Sequence, residues 1–142
     1  MRLLHVHPHI VTKVVLRVDG GANCNVLNDE SLFILLYKKP IRCLLACGEK
    51  SRFQGIGIAI VELQKGVFLQ LAPCYLSTPD DVNTISPGAL KRYSKCTEAT
   101  HSALEHLQVT NSRGVTTKLK VSTAAGLDYV RIPFHHFKRP MT

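Results

Sequence analysis

A strand that runs into an acidic residue and two glycines constrains this chain more than any other feature. The segment KVVLRVDGGANCNVLND, Lys13 to Asp29, begins with β-branched residues that favour an extended strand and then reaches Asp19, Gly20 and Gly21. The pattern alone leaves two structures open. Asp-Gly is a common hairpin turn, and an Asp followed by glycines can also present its carboxylate to nearby backbone N–H groups.

The composition predicts one globular domain that covers residues 1–142. The chain has 142 residues, of which 45% are hydrophobic and 20% are charged, as in ordinary folded domains. Its formal charge of +8 comes from 18 basic and 10 acidic residues, and the basic residues form no run longer than two. Nucleic acid is therefore a weakly supported partner, because no basic stripe is evident.

The cysteines and the N-terminal segment predict an intracellular protein. Five cysteines are an odd number, and the start MRLLHVHPHIVTKVV is interrupted by histidines and a proline, so it lacks the apolar stretch of a signal peptide. We expect free thiols in a reducing compartment, with no feature that separates cytoplasm from nucleus. The apolar pieces LFILLY and GIGIAIV are too short to span a bilayer, so no membrane partner is predicted.

The sequence pattern of the rest of the chain predicts mainly short strands, and therefore an all-β fold. HIVTKVVLRVD alternates Val11, Val15 and Val18 imperfectly with polar neighbours, and ESLFILLYKKP is a short helix or an extended piece that ends before Pro40. Further strands are predicted in GVFLQLAPCYLS, on both sides of the turn NSRG, and in LDYVRIPF.

A hairpin and one helix stand out among these elements. The hairpin has a strand from Ile41 to Cys47, a turn at Gly48-Glu49-Lys50 and a return strand from about Arg52 to Leu63. Gly55 and Gly57 lie inside the return strand, where glycines indicate a bulge or the close approach of another backbone. The helix begins in SPGALKRYSKC, with Ser86 as N-cap and Pro87 at the first helical position.

Asp19 is the residue best placed for chemistry. Two carboxylates brought close together cannot both ionise, so they share a proton and can activate a water molecule. The chain has one Asp in such a setting, and a second copy of the chain would have to supply the other.

The order of these features resembles the protease segment of copia-type retrotransposon polyproteins, a retropepsin-like family of aspartic proteases. VDGGAN stands where that family has Asp-Ser/Thr-Gly-Ala, and it is followed by NDESLF, ACGEKSRFQGIGIAIVEL and APCYLSTPDDVNTISPGALKRY. NTISPGAL, Asn83 to Leu90, has the spacing of the family's N-L-x-S-x-x-x-L helix. The resemblance covers roughly Val14 to Tyr93, and the segment that follows carries no specific motif.

The resemblance implies an aspartic endopeptidase that works as a homodimer on an extended polypeptide, the polyprotein of a retroelement. The implied fold is an acid-protease protomer: a closed β-barrel with a flap hairpin and one short helix. Asp19 would be catalytic and Gly20, Gly21 and Ala22 would form the active-site loop. The flap or substrate cleft would include Gly48, Gly55, Ile56 and Gly57. No metal or organic cofactor is needed.

The resemblance also implies a domain plan. Residues 10–95 would be the retropepsin-like core, 96–133 additional C-terminal strands, and 134–142 a flexible tail in which His135 and His136 are solvated. Because no zinc knuckle, integrase or polymerase is recognisable, the chain would be a detached fragment of a polyprotein or a domesticated domain.

The chain departs from the pattern of that family at two places. Gly20 replaces the Ser or Thr whose hydroxyl locks the two active-site loops across the dimer, and Ser86-Pro87 replaces a Gly followed by a basic or polar residue. A catalytically impaired module that binds peptides or dimerises is therefore the alternative function, and a nucleic-acid-associated fragment is the second. Cys24 is interpreted as a buried thiol, since no partner for a nucleophile can be placed beside it.

Overall fold

Strands dominate the computed structural model, which describes residues 9–44 and 50–137. The all-β prediction is confirmed, and the described residues contain one short α-helix and one turn of 3-10 helix. The elements are β1 (His9–Val18), β2 (Asn25–Leu27), the 3-10 helix (Glu30–Leu32), β3 (Leu35–Leu44), β4 (Lys50–Gln64), β5 (Val67–Leu76), β6 (Thr84–Ile85), α1 (Pro87–Tyr93), β7 (Glu98–Ser102), β8 (His106–Thr110), β9 (Thr116–Lys120), β10 (Ser122–Ala124) and β11 (Leu127–Phe137).

The strands form two sheets. The larger sheet has the order β10-β11-β1-β6-β2-β5-β4-β3, and β11 also pairs with β4. Within it, β6 runs parallel to the end of β1, and β2 runs parallel to β5, whereas the other pairs are antiparallel. The smaller sheet is the antiparallel meander β7-β8-β9. One cluster of buried apolar side chains includes members from both sheets, so they share a core.

The strand predicted in HIVTKVVLRVD is confirmed as β1. Val14, Leu16 and Val18 are buried, while Val11 and Val15 are 52% and 47% exposed. Side chains of a strand alternate between its two faces, so the even-numbered residues face the core. The alternation of Val11, Val15 and Val18 is imperfect because Val18 lies on the buried face and the other two do not.

The chain after the 3-10 helix is a strand, and it does not stop at the proline. β3 runs through Pro40, with an irregular register between Lys38 and Ile41 opposite β4. Proline has no N–H to donate to a ladder, and β3 lies at the edge of its sheet, where that loss is tolerated. The prediction of an element that ends before Pro40 is therefore wrong.

The predicted hairpin and the later strands are confirmed in outline. β3 and β4 pair from Leu35 opposite Ile58 to Leu44 opposite Lys50, and the predicted turn residues Gly48 and Glu49 lie outside the described residues. The strands predicted on both sides of NSRG are β8 and β9.

The C-terminal strands are an integral part of the larger sheet. β11 pairs with β1 along almost its whole length, from His9 opposite Phe137 to Arg17 opposite Tyr129. Without it, β1 would keep only its short pairing with β6. The strands predicted for residues 96–133 are therefore present, and the last of them completes the sheet that carries Asp19.

The predicted tail begins too early. Residues 134–137 belong to β11, where Phe134 is fully buried and His136 is 6% exposed. His135 is not solvated either, since its Nε2 lies 2.6 Å from Glu62 Oε1 and its Nδ1 lies 2.7 Å from His9 Nε2. These contacts arise because β11 packs between β1 and β4, a pairing that no local pattern reveals. Residues 138–142 lie outside the described part of the chain.

A buried carboxylate joins the two sheets. Asp128 at the start of β11 accepts hydrogen bonds from the Leu104 backbone N–H at 2.9 Å and from Thr123 Oγ1 at 2.9 Å, and it pairs with His101 of β7 at 2.7 Å. The Leu104 N–H is the largest of the effects that hold the pKa of Asp128 below its usual value. Within the described residues, no helix is both long and apolar enough to cross a membrane.

Candidate active site

The loop of Asp19 to Ala22 starts from a fixed point in the larger sheet. Val18 pairs with Ile85 of β6, and the Asp19 backbone N–H donates to the Ile85 carbonyl oxygen at 3.1 Å. The Ala22 N–H then donates back to the Asp19 carbonyl oxygen at 3.3 Å, which closes the turn. The sheet therefore sets the position of the Asp19 backbone, because β1 is paired on both sides at this end.

The Asp19 carboxylate has one oxygen held by the loop and one oxygen facing a cation. Oδ1 accepts the Gly21 N–H at 3.0 Å, and Oδ2 lies 3.8 Å from Arg17 Nη2. The side chain is 33% exposed, so water can reach it. Such a carboxylate can accept a proton from water or hydrogen-bond to a bound ligand.

The geometry of the protomer requires glycine at neither position of the loop. A Cβ on Gly21 would lie 3.5 Å from Asp19 Oδ1, in ordinary contact with the carboxylate. A Cβ on Gly20 would meet nothing within 4 Å, and the backbone there does not have the positive φ that requires glycine. The protomer therefore has room for the Ser or Thr that the sequence lacks at position 20.

Ser86 connects the Asp19 loop to α1 through hydrogen bonds. Its hydroxyl donates to the Ala22 carbonyl oxygen at 2.6 Å and accepts the Ala89 N–H at 3.1 Å, which confirms it as the N-cap of α1. Its backbone N–H donates to Asn25 Oδ1 at 2.8 Å, and both side chains are buried. A buried polar group is stable only when it is hydrogen-bonded, so this set holds the loop, β2 and α1 in one arrangement.

Asn25 is a site residue that the sequence analysis missed. It is the first residue of β2 and is only 1% exposed. Asparagine is depleted in strands, so its place at the start of NVL was the available signal that it serves a contact outside the strand ladder.

The glycines assigned to the flap lie in the body of the sheet. Gly55 and Gly57 are in β4 between β3 and β5, where Gly55 faces Lys38 on one side and Leu76 on the other. A Cβ on Gly55 would lie 2.7 Å from the Tyr37 carbonyl oxygen, and one on Gly57 would overlap with the Leu35 carbonyl oxygen. The close approach of β3 thus accounts for both glycines, and a register shift follows Gly57 as a bulge would.

Ile56 lies between the two glycines and pairs with Tyr37 and Tyr75. It is therefore also part of the sheet. Gly48 lies outside the described residues, so the hairpin tip that the sequence assigns to the flap is not described.

A groove of about 380 Å³ opens beyond the end of β2. Asn28, Asp29 and Glu30 line one side of it, and Gln54 and Leu76 are among the residues opposite. The Asp29 side chain accepts the Ser31 N–H at 2.9 Å and so caps the 3-10 helix, while Glu30 pairs with Lys38 at 2.9 Å. Asp29 therefore has a structural role at the start of the 3-10 helix.

Three cysteines are buried: Cys24, Cys74 and Cys96. Burial raises the pKa of Cys96 to about 11 and that of Cys74 further, so both thiols stay protonated at neutral pH and are poor nucleophiles. Within residues 9–44 and 50–137, no group of three or more His, Cys, Asp or Glu side chains is arranged to hold a metal ion.

Comparison of the chain with protein-family models, with curated proteins and with solved structures finds no significant match. The geometry of the loop and the arrangement of the strands therefore carry the functional argument.

Proposed function

We propose that the protein is an aspartic endopeptidase that acts as a homodimer, with Asp19 of each copy forming the catalytic pair. The observation that supports this proposal is the Asp19 loop. Its carboxylate stands at the end of a doubly paired strand, holds the Gly21 N–H with Oδ1, and is one-third exposed. A turn that served only to reverse the chain would not need the buried Ser86 hydroxyl to fix its last carbonyl.

The chemistry follows from bringing two such carboxylates together. One ionised Asp19 takes a proton from a water molecule while the water oxygen attacks the carbonyl carbon of the substrate peptide bond. The other, protonated Asp19 donates its proton to the carbonyl oxygen, which gives a neutral tetrahedral diol. The first Asp19 then passes the proton taken from water to the amide nitrogen as the C–N bond breaks. One diol hydroxyl returns its proton to the other, now ionised Asp19, so the diol becomes a carboxylic acid and the pair again holds one proton.

The arrangement of elements supports a retropepsin-like protomer. The Asp19 loop, the β3–β4 hairpin, β6 and α1 follow one another in the order of that family, and the β11–β4 pairing is compatible with a closed barrel. In this proposal the tip of the hairpin covers an extended substrate and excludes water. The groove beside Asn28 gives space for a substrate side chain.

The alternative is a module that keeps this fold and binds peptides without cutting them. Gly20 favours it, because the family's hydroxyl at that position joins the two loops across the dimer and this chain has none. A missing hydrogen bond of this kind costs about 1 kcal/mol per copy. Dimerisation is therefore the step at which an impaired protein would fail.

Replacement of Asp19 tests the proposal. We expect Asp19→Asn to abolish cleavage of a fluorogenic peptide library between acidic and neutral pH, because an amide cannot exchange a proton with water in this role. Asp81→Asn is the matched control, since Asp81 is exposed and its side chain makes no contact with the loop residues. Equal activity of Asp19→Asn and the unmodified protein would overturn the mechanism.

Sedimentation separates the two candidate functions. A dimer that is inhibited by a pepstatin-type compound supports the protease. A monomer that binds peptides and is not inhibited supports the binding module.

A further inference from the structure

One edge of β5 has no partner strand along the first part of the strand, among the residues that the structure describes. β5 pairs with β4 from Val67 to Leu76, but on its other edge it pairs with β2 only over Cys74–Leu76. Among the described residues, no strand pairs with that second edge over residues 67–72. Backbone N–H and C=O groups on such an edge are ready to pair with another chain.

A groove of about 520 Å³ runs along this free edge. Both the outward-facing Phe68 and the buried Leu69 line it, and because neighbouring residues of a strand face opposite sides, the groove lies at the edge of β5 and not on one face. The opposite wall is built from the end of α1 and the turn between β8 and β9, at Tyr93–Lys95 and Asn111–Val115.

The groove combines apolar and positively charged groups. Phe68, Tyr93 and Val115 are 51%, 44% and 36% exposed, so three large apolar side chains of the lining are open to a ligand. Lys95 and Arg113 are the charged residues of the lining, and no carboxylate lines it. Within the described residues, neither of these cations forms an ion pair.

A polar atom and a fixed turn complete the site. Ser94 Oγ is shielded from water and has no hydrogen-bond partner among the described residues, although Ser94 lines the groove. A shielded hydroxyl without a partner is costly unless a ligand satisfies it. Asn111 Oδ1 accepts the N–H groups of Arg113 and Val115, both at 3.0 Å, so the turn that carries Arg113 is held in place.

We propose that this groove binds an acidic segment of another polypeptide in extended form, which adds to the larger sheet as a strand beside residues 67–72 of β5. Backbone pairing along the strand edge supplies affinity, and Lys95 and Arg113 select carboxylate side chains. The site does not include Asp19, so it is a docking site apart from the proposed cleavage site.

The test uses the full chain with Asp19→Asn, so that no probe is cleaved. The probe is a fluorescein-labelled peptide of about eight residues with alternating Val and Glu, long enough to run along the free part of β5. The comparison peptide has Lys in place of Glu. We expect the Glu peptide to bind about tenfold more tightly than the Lys peptide, and the difference to shrink as salt is added.

Two readouts locate the site. Hydrogen exchange should slow at amides within residues 67–72 when the Glu peptide binds. The double variant Lys95→Glu with Arg113→Glu should lose about tenfold in affinity for the Glu peptide, because two attractive charges become repulsive. The matched control is Lys13→Glu with Arg131→Glu, which makes the same change of net charge at two exposed residues outside the groove and should leave the affinity unchanged.

Four results would overturn the proposal, of which three concern the peptides. They are equal binding of the two peptides, protection of amides elsewhere than residues 67–72, and no binding of the Glu peptide at low salt. The fourth result is slower hydrogen exchange at residues 67–72 without peptide as the protein concentration rises. It would assign the edge of β5 to a second copy of the chain and would overturn the proposal. Because the groove does not include Asp19 and the readouts are binding and hydrogen exchange, none of these outcomes depends on whether the unmodified protein cleaves peptides.

Discussion

The Ser86 hydroxyl holds the Asp19 loop, and its removal should cost stability as well as activity. Ser86→Ala loses two hydrogen bonds: the N-cap bond from the Ala89 N–H and the bond to the Ala22 carbonyl oxygen. Loss of an N-cap costs about 1 kcal/mol. The Ala22 carbonyl is partly accessible to water, so its lost bond adds about 1 kcal/mol, the low end of the range for an unsatisfied group.

We therefore expect Ser86→Ala to lower the free energy of unfolding by about 2 kcal/mol. The unfolding entropy of a chain of 142 residues is about 2.1 cal/mol/K per residue, so this loss of free energy lowers Tm by about 7 °C. The measurement is urea and thermal unfolding followed by circular dichroism. Loosening of the loop should also speed hydrogen exchange at the Gly21 and Ala22 amides.

Two further variants separate the contributions. Glycine is nearly as good an N-cap as serine, so Ser86→Gly should lose mainly the Ala22 bond, about 1.3 kcal/mol in total. Ser122→Ala removes an exposed hydroxyl of β10 and should change stability by less than about 0.5 kcal/mol. If Ser86→Ala is no less stable than Ser122→Ala, the hydroxyl does not hold the loop and the reasoning is refuted.

Three other perturbations have defined outcomes. Gly20→Ser should lower the dissociation constant of the proposed dimer about thirtyfold, because it adds two symmetry-related hydroxyl hydrogen bonds of about 1 kcal/mol each. Gly20→Ala should not lower it, and equal dissociation constants for the two variants in sedimentation would contradict this prediction. Gly57→Ala should destabilise the protein by about 2–3 kcal/mol in urea, because its Cβ overlaps with the backbone of β3, and a loss no larger than that of Gly20→Ala would count against the close approach. The pKa of Asp128 is lowered in the folded state, so its stabilisation is complete above the unfolded pKa of about 3.9 and is lost as the pH falls through the folded value. Asp128→Asn should make the decline of the urea midpoint at acidic pH shallower, and an unchanged decline would exclude Asp128 as a cause.

Local signals predicted the elements where one residue type decides the backbone. Ser86 and Pro87 predicted the start of α1 correctly, because an N-cap and a proline at the first helical position act within one turn. The glycines of β4 were correctly interpreted as a sign of a close backbone or a bulge. The assignment of Gly48, Gly55, Ile56 and Gly57 to the flap or substrate cleft stays a prediction.

Signals that depend on distant partners failed. The burial of His136, which was predicted to lie in a solvated tail, follows from the pairing of β1 with β11. The two strands are separated by most of the chain, so no window of sequence contains both. The same holds for Asn25, whose partner is the Ser86 backbone.

The sequence by itself determined the all-β class, the single capped helix and the place of Asp19 at the end of a strand, because these depend on β-branched content, on capping and on a run of a few residues. The tertiary structure decided what surrounds Asp19. Only folding brings Ile85, Arg17 and the Ser86-bound Ala22 carbonyl around one loop. Only the order of the described strands leaves one edge of β5 without a partner strand over residues 67–72, beside Lys95 and Arg113. Contacts of that kind are set by the packing of both sheets on one core, and local sequence patterns carry no information about them.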